Sequence, residues 1–188
     1  MRLARTGPGR TPFVRRFALV LAGALGMVAH AVAAPSLERA PAPEFNARSL
    51  DGRDLRLAVL RLHGPVIVEF WATWCEPCRE ALTELEDWRK QYGPRGLSIV
   101  AVSVDGPRNI SKVRPYVMRL HVHYPVVIDE DQRLQRLYQA NQMPTAFLVD
   151  AAGNIAAIRV GYRRGDTSFA SRIETQFKAD TTAAGSAR

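Results

Sequence analysis

The chain has 188 residues, enough for one ordinary domain plus a leader, and its 26 Lys and Arg against 18 Asp and Glu give a net charge of +8. Five of those arginines (Arg2, Arg5, Arg10, Arg15 and Arg16) sit at the start with no acidic residue among them. Residues 35–188 are left with 21 basic and 18 acidic side chains, and so small a surplus spread along a domain excludes a nucleic-acid footprint.

The basic front runs into an apolar stretch, Phe17 to Val28, and then into small residues at Ala29, Ala31, Ala33 and Ala34. Residues 1–34 therefore read as a signal peptide, cleaved after Ala33 or Ala31, or as an uncleaved N-terminal membrane anchor. As a span, Phe17 to Ala34 falls a little short of the roughly 20 apolar residues required, and His30 interrupts it. Either reading sends the body of the protein out of the cytoplasm, and the expected location is periplasmic. Residues 35–44, with three prolines, read as a linker holding the domain away from leader or membrane.

Phe45 to Leu55 carries Asp51-Gly52 between short alternating stretches, the signature of a hairpin. Val66 to Trp71 is a continuous apolar run, hence a buried strand. Cys75 to about Tyr92 is helical by the spacing of Leu82, Leu85 and Trp88, and Gly93-Pro94 stops it. Leu97 to Val104 is a second central strand. Ile110, Val113, Val117 and Leu120 keep helical spacing, with Pro115 expected to kink or restart that helix. Val126 to Ile128 is a strand, and Leu134, Leu137 and Tyr138 mark a short helix. Thr145 to Val149 and Ile155 to Val160 flank the turn Ala152-Gly153-Asn154. Ser168 to Phe177 closes the domain, and residues 179–188 read as a disordered tail. This order predicts an α/β fold, a mixed central sheet with helices on both faces.

Cys75 and Cys78 are the only cysteines, placed together in Trp74-Cys75-Glu76-Pro77-Cys78. A thiol attacks a disulfide as its thiolate, so the working cysteine needs a lowered pKa. Cys75 follows a strand and opens a helix, where unpaired N–H groups and the positive helix end favour negative charge. Pro77 falls in the first turn, where its missing N–H costs no helical bond. Cys78, one turn further on, is shielded and suited to resolve a mixed disulfide. The expected roles are nucleophile for Cys75 and resolver for Cys78, with Glu76 slightly opposing the thiolate. A passive staple is the alternative, but closing so short a loop restricts the unfolded chain very little. Cu(I) held by the two thiols is a second alternative, a metallochaperone. His121 and His123 are the nearest further ligands in sequence, and they read as solvated residues at a helix-to-strand junction. The pattern calls for no cofactor and no resident metal.

Glu69 interrupts an apolar strand, where an unpaired carboxylate is costly. It lies either at a wet edge or in the interior as an acid with a raised pKa, able to relay a proton to or from Cys78. Met143-Pro144-Thr145 puts a proline immediately before a strand, at a sheet edge or after a cis bond.

Phe70-Trp71-Ala72-Thr73-Trp74-Cys75-Glu76-Pro77-Cys78-Arg79, with Met143-Pro144-Thr145 and the Asp150 to Asn154 turn, resembles the TlpA/ResA-type branch of the thioredoxin superfamily over about Phe45 to Phe177. The resemblance implies a thioredoxin fold over residues 45–178, with an N-terminal β-hairpin and a central insertion near Asn109 to Val126. It implies that Pro144 is cis and beside the disulfide, and that Glu69 takes the buried-acid position. Trp74, Met143 and Thr145 are then the substrate-binding residues. Many relatives carry Glu three residues after the second cysteine and Pro two further on. Here those positions are Ala81 and Thr83, and Glu80 falls one residue early. The implied activity is protein thiol–disulfide exchange, acting on disulfides of apocytochrome c or copper-site cysteines. The implied partners are protein substrates with disulfides or thiols and a membrane thiol reductant as electron donor, with no nucleic acid.

Overall fold

The computed structural model describes residues 37–185, with side chains to residue 178. The leader expected over residues 1–34 lies outside the described residues. Among those described, no helix is long and apolar enough to cross a membrane.

Two short strands, β1 (Asn46–Arg48) and β2 (Asp54–Arg56), form the expected hairpin and pair only with each other. A short helix α1 (Leu57–Leu60) leads into the main sheet. That sheet holds β3 (Val66–Trp71), β4 (Ser98–Ser103), β5 (Val126–Ile128), β6 (Thr145–Val149) and β7 (Ile155–Val160), in the order β5-β4-β3-β6-β7. β3, β4 and β5 run parallel, while β6 and β7 complete an antiparallel half. The helices are α2 (Glu76–Tyr92), α3 (Ile110–Arg119), α4 (Arg133–Leu137) and α5 (Ser168–Gly185). This is the predicted thioredoxin fold. The segment expected as an insertion forms α3 and the edge strand β5.

Every residue of β3 is buried, because the central strand is covered on both faces. On one face Phe70 packs against Tyr138 and Phe147, with ring centroids 5.3 and 5.8 Å away. On the other, Trp71 lies 5.5 Å from Tyr116 of α3, and α2 and α5 are joined by Trp88 on Phe169 and Tyr92 on Phe177. α3 runs through Pro115 without a restart. Pro115 lies in the helix interior, where it removes the bond to the Ser111 carbonyl, and the burial of Val113 and Val117 holds the helix together across it.

Two expectations are corrected at the ends of the domain. Residues 37–44 do not stand off as a linker. Arg39 N–H donates to Ile155 O (2.7 Å), Ile155 N–H to Ala40 O (2.8 Å), and Ala42 N–H to Gly153 O (2.8 Å). Leu37 to Ala40 turn back on themselves, with Arg39 in the left-handed region, and Pro41 then pairs with Asn154 at the β6–β7 turn. At the opposite edge Leu50 N–H donates to Val126 O (2.7 Å), and Ser49 bridges Val127. Both additions occupy backbone that an exposed sheet margin would offer to other chains. α5 also continues past Phe177 to Gly185, into the segment expected to be a disordered tail. No proline or glycine stands between Phe177 and Gly185 to interrupt it.

Candidate active site

The cysteine turn is clamped from below. After β3 the chain runs through Ala72 and Thr73, and Thr73 is fastened twice to Asp105, by its N–H (2.9 Å) and by its hydroxyl (2.6 Å). Ser103 Oγ donates to the same carboxylate at 2.8 Å, and Asp105 is fully buried. Cys75 N–H then donates to Ala72 O (3.1 Å), closing the turn that ends at the start of α2. Cys75 is the extended residue preceding the helix, with φ −93° and ψ 104°, and Pro77 sits in the first turn as expected. The two cysteines are disulfide-bonded, with Cα atoms 5.3 Å apart. Cys75 keeps 6 % of its surface and Cys78 none, while Trp74 beside them is 64 % exposed. An attacking thiol therefore reaches Cys75 first.

The Met143-Pro144 bond is cis, as the resemblance implies. β6 starts at Thr145, paired with Phe70 in β3, so Pro144 comes level with the end of β3 from which the cysteine turn departs. Pro144 O accepts Gly161 N–H at 2.7 Å, and Thr145 Oγ1 donates to Gln142 O at 2.7 Å, tying the loop down on both sides. Among the described residues, neither the N–H nor the C=O of Met143 meets a hydrogen-bond partner. Thr145 itself is buried, so its hydroxyl shapes the loop rather than the surface.

Glu69 is interior, not at a wet edge. It is fully buried, and neither carboxylate oxygen has a hydrogen-bond partner. The strand register explains how an acid fits there. Ala101 of β4 and Ala146 of β6 flank it, and Arg159 of β7 lies beyond Ala146 in the same row. Across that small alanine the Arg159 guanidinium comes to 3.7 Å from Glu69. Burial is the largest influence on the carboxyl and raises it; the Arg159 charge opposes this and the Glu84 charge adds to it, leaving Glu69 at about 7 instead of 4.5. It is poised to hold or release a proton near neutrality.

The chain thus has a disulfide at the start of a helix, a buried acid in the strand that leads into it, and a cis-proline loop at the same end of that strand. The sequence profile of the AhpC/TSA family matches residues 39–158. The chain belongs to that family. It is similar to curated thiol–disulfide oxidoreductases named ResA, at 34 % identity over 121 residues in Geobacillus thermodenitrificans and 33 % over 124 in Bacillus subtilis. These alignments cover 64 and 66 % of this chain and 67 and 68 % of the relatives. Among solved structures it resembles a putative thiol:disulfide interchange protein DsbE from Chlorobium tepidum, at a TM-score of 0.67 and 27 % identity, over 73 % of this chain and 95 % of that one. The protein is thus a thiol–disulfide oxidoreductase of the thioredoxin superfamily, and it carries a Cys75–Cys78 disulfide.

Other acidic and imidazole groups of this oxidoreductase are engaged elsewhere. Glu76 is exposed and pairs with Arg79 at 3.2 Å. Glu80 is bound by Arg164 at 2.6 Å, and that hydrogen bond holds its carboxyl below the usual range. His123 lies 3.0 Å from Glu86, and His121 is exposed at the end of α3. Among the described residues no group of three or more His, Cys, Asp or Glu side chains converges as a metal site would.

Three residues of the site escaped the sequence reading. Asp105 was readable only as the polar end of an apolar strand, Ser103-Val104-Asp105. Arg159 interrupts its strand as Glu69 interrupts β3, a parallel visible in the sequence but meaningless until the strands are registered. Tyr116, with Thr73, Trp74, Lys112, Pro115 and Arg119, lines a groove of about 460 Å³ between the cysteine turn and α3.

Proposed function

We propose that this oxidoreductase is exported, faces the periplasm, and reduces selected protein disulfides such as those of apocytochrome c or copper-site cysteines. The observation that carries the reading of a protein substrate is the free Met143 backbone, just before the strand that ends beside the start of the cysteine turn. An extended substrate segment can pair with it by main-chain hydrogen bonds while its own disulfide meets Cys75, the cysteine of the pair that keeps some exposed surface. In the reduced enzyme the Cys75 thiolate attacks a substrate sulfur. A Cys75–substrate disulfide forms, the substrate S–S bond breaks, and one substrate thiol leaves. Cys78 then attacks Sγ of Cys75, the enzyme disulfide closes, and the second substrate thiol leaves. Two electrons pass to the substrate, and Glu69 takes the proton that Cys78 gives up. In a compartment kept oxidising, returning the enzyme to its dithiol form requires a membrane thiol reductant.

Equilibration of the Cys75–Cys78 pair against dithiothreitol and glutathione tests the direction. A reductant lies below about −200 mV; a value near the roughly −120 mV of a strong oxidant would reverse the proposed electron flow. An oxidised Cys-x-x-Cys peptide should be reduced in the same assay, and failure with every such peptide would remove the substrate class.

A further inference from the structure

Arg159 is more than the counter-ion of Glu69. Its Nη1 donates to Glu84 of α2 at 2.5 Å, while Nη2 stops 3.7 Å from Glu69, beyond hydrogen-bond reach. The guanidinium is caged by three rings, with its carbon 5.1 Å from the centroids of Trp88 and Phe169 and 5.6 Å from Tyr162. Its side chain is 10 % exposed, and Nε and Nη2 have no hydrogen-bond partner. A buried arginine whose only task was to neutralise Glu69 would take that carboxylate in a two-pronged bond. This one is drawn instead toward Glu84, whose side chain is 21 % exposed, and is fixed there by the aromatic cage.

We propose that Arg159 is a positioning residue shared between two carboxylates, and that Glu84, by engaging it, sets how readily the buried Glu69 gives up its proton. The inference rests on the reading of Glu69 as the proton carrier for Cys78. The groups facing Glu69 are few. Arg159 comes from β7 and Glu84 from α2. Tyr124, before β5, is buried with its hydroxyl on Leu82 O at 2.8 Å. Burial, and then the charges of Glu69 and Glu86, hold that tyrosine well above its usual range, so it stays a neutral neighbour. The flanking strands offer only Ala101 and Ala146, and α5 contributes Phe169 to the cage. With burial fixed by the fold, the charge on Glu69 is tuned by where one guanidinium points.

The two partners act in opposite senses. Glu84→Gln frees Arg159 to turn to Glu69 and removes a nearby negative charge, so Glu69 should ionise at lower pH. Arg159→Met removes the cation, so Glu69 should ionise at higher pH. An opposite charge within about 4–6 Å moves a carboxyl by roughly 1–3 units, and a displacement of about one unit or more in each direction is expected. Arg159→Lys, which keeps the charge without the fork, should fall between wild type and Arg159→Met.

The test follows the carboxyl ¹³C resonance of Glu69 from pH 4 to 9 in the oxidised full-length protein, assigned by its loss in Glu69→Gln. Opposite shifts in Glu84→Gln and Arg159→Met support the proposal. A midpoint unmoved in both variants overturns it, and if Arg159→Met does not fold, Glu84→Gln decides alone. The pH profile of mixed-disulfide resolution, measured in a single turnover, should move with the resonance. A resonance that moves while the profile stays put would leave the Arg159–Glu84 device standing and remove Glu69 from the chemistry.

Discussion

Replacing Glu69 by Gln should change how stability depends on pH, by an amount the structure allows one to work out. The carboxyl titrates at about 7 in the folded protein against an ordinary 4.5, with burial as the largest cause. Below about pH 4.5 Glu69 is neutral in both folded and unfolded chains. Above that, the unfolded chain ionises first, and the folded state loses stability by about 1.4 kcal/mol per pH unit until it ionises too. The loss accumulates to roughly 3 kcal/mol by neutral pH and then levels off. Gln cannot ionise, so the variant lacks this slope. Urea unfolding of the two oxidised proteins at a series of pH values isolates the effect, because all other titrating groups are common to both. The variant's advantage over wild type should grow by roughly 3 kcal/mol from pH 4.5 to just above 7. A difference that stays constant across that window would mean Glu69 is not held as a buried, raised acid.

Asp105→Ala should cost about 2–3 kcal/mol by stranding the Thr73 and Ser103 donors, and should slow the attack of reduced Cys75 on a protein disulfide. Stability within error of wild type on thermal unfolding would show that the clamp contributes nothing. Ala146→Leu puts a large side chain between Glu69 and Arg159, and overpacking there should cost about 1–3 kcal/mol while pushing the ion pair apart. Unfolding measurements that find no loss would contradict the close passage of Arg159 across Ala146.

Much of the sheet was legible because its strands are short apolar runs punctuated by glycine, proline or a polar turn. Val66 to Trp71, Thr145 to Val149 and Ile155 to Val160 end where those signals fall. The cysteine turn was legible for the same reason, being a local feature whose geometry follows from strand, turn and helix in sequence. What the sequence could not reveal is set by register. Glu69 and Arg159 are 90 positions apart and two strands distant, and only the pairing of each with Ala146 brings them together. Asp105 likewise reaches Thr73 only once β4 lies beside β3. The proline-rich segment before Phe45 was misread because composition does not report what a chain's backbone pairs with. The end of α5 was misread because polar, alanine-rich sequence suits both a solvated helix and a loose tail.

The division of labour within the cysteine pair is the centre of the account, and one measurement addresses it directly. Reduced Cys78→Ser protein is mixed with a disulfide-bonded protein substrate, quenched by acid, and digested for mass spectrometry. Cys75 keeps the surface that Cys78 lacks, so the variant should accumulate a covalent adduct through Cys75, whereas Cys75→Ser should form none. Adducts through Cys78 in Cys75→Ser, formed as fast as those through Cys75 in the other variant, would contradict the assignment of nucleophile and resolver.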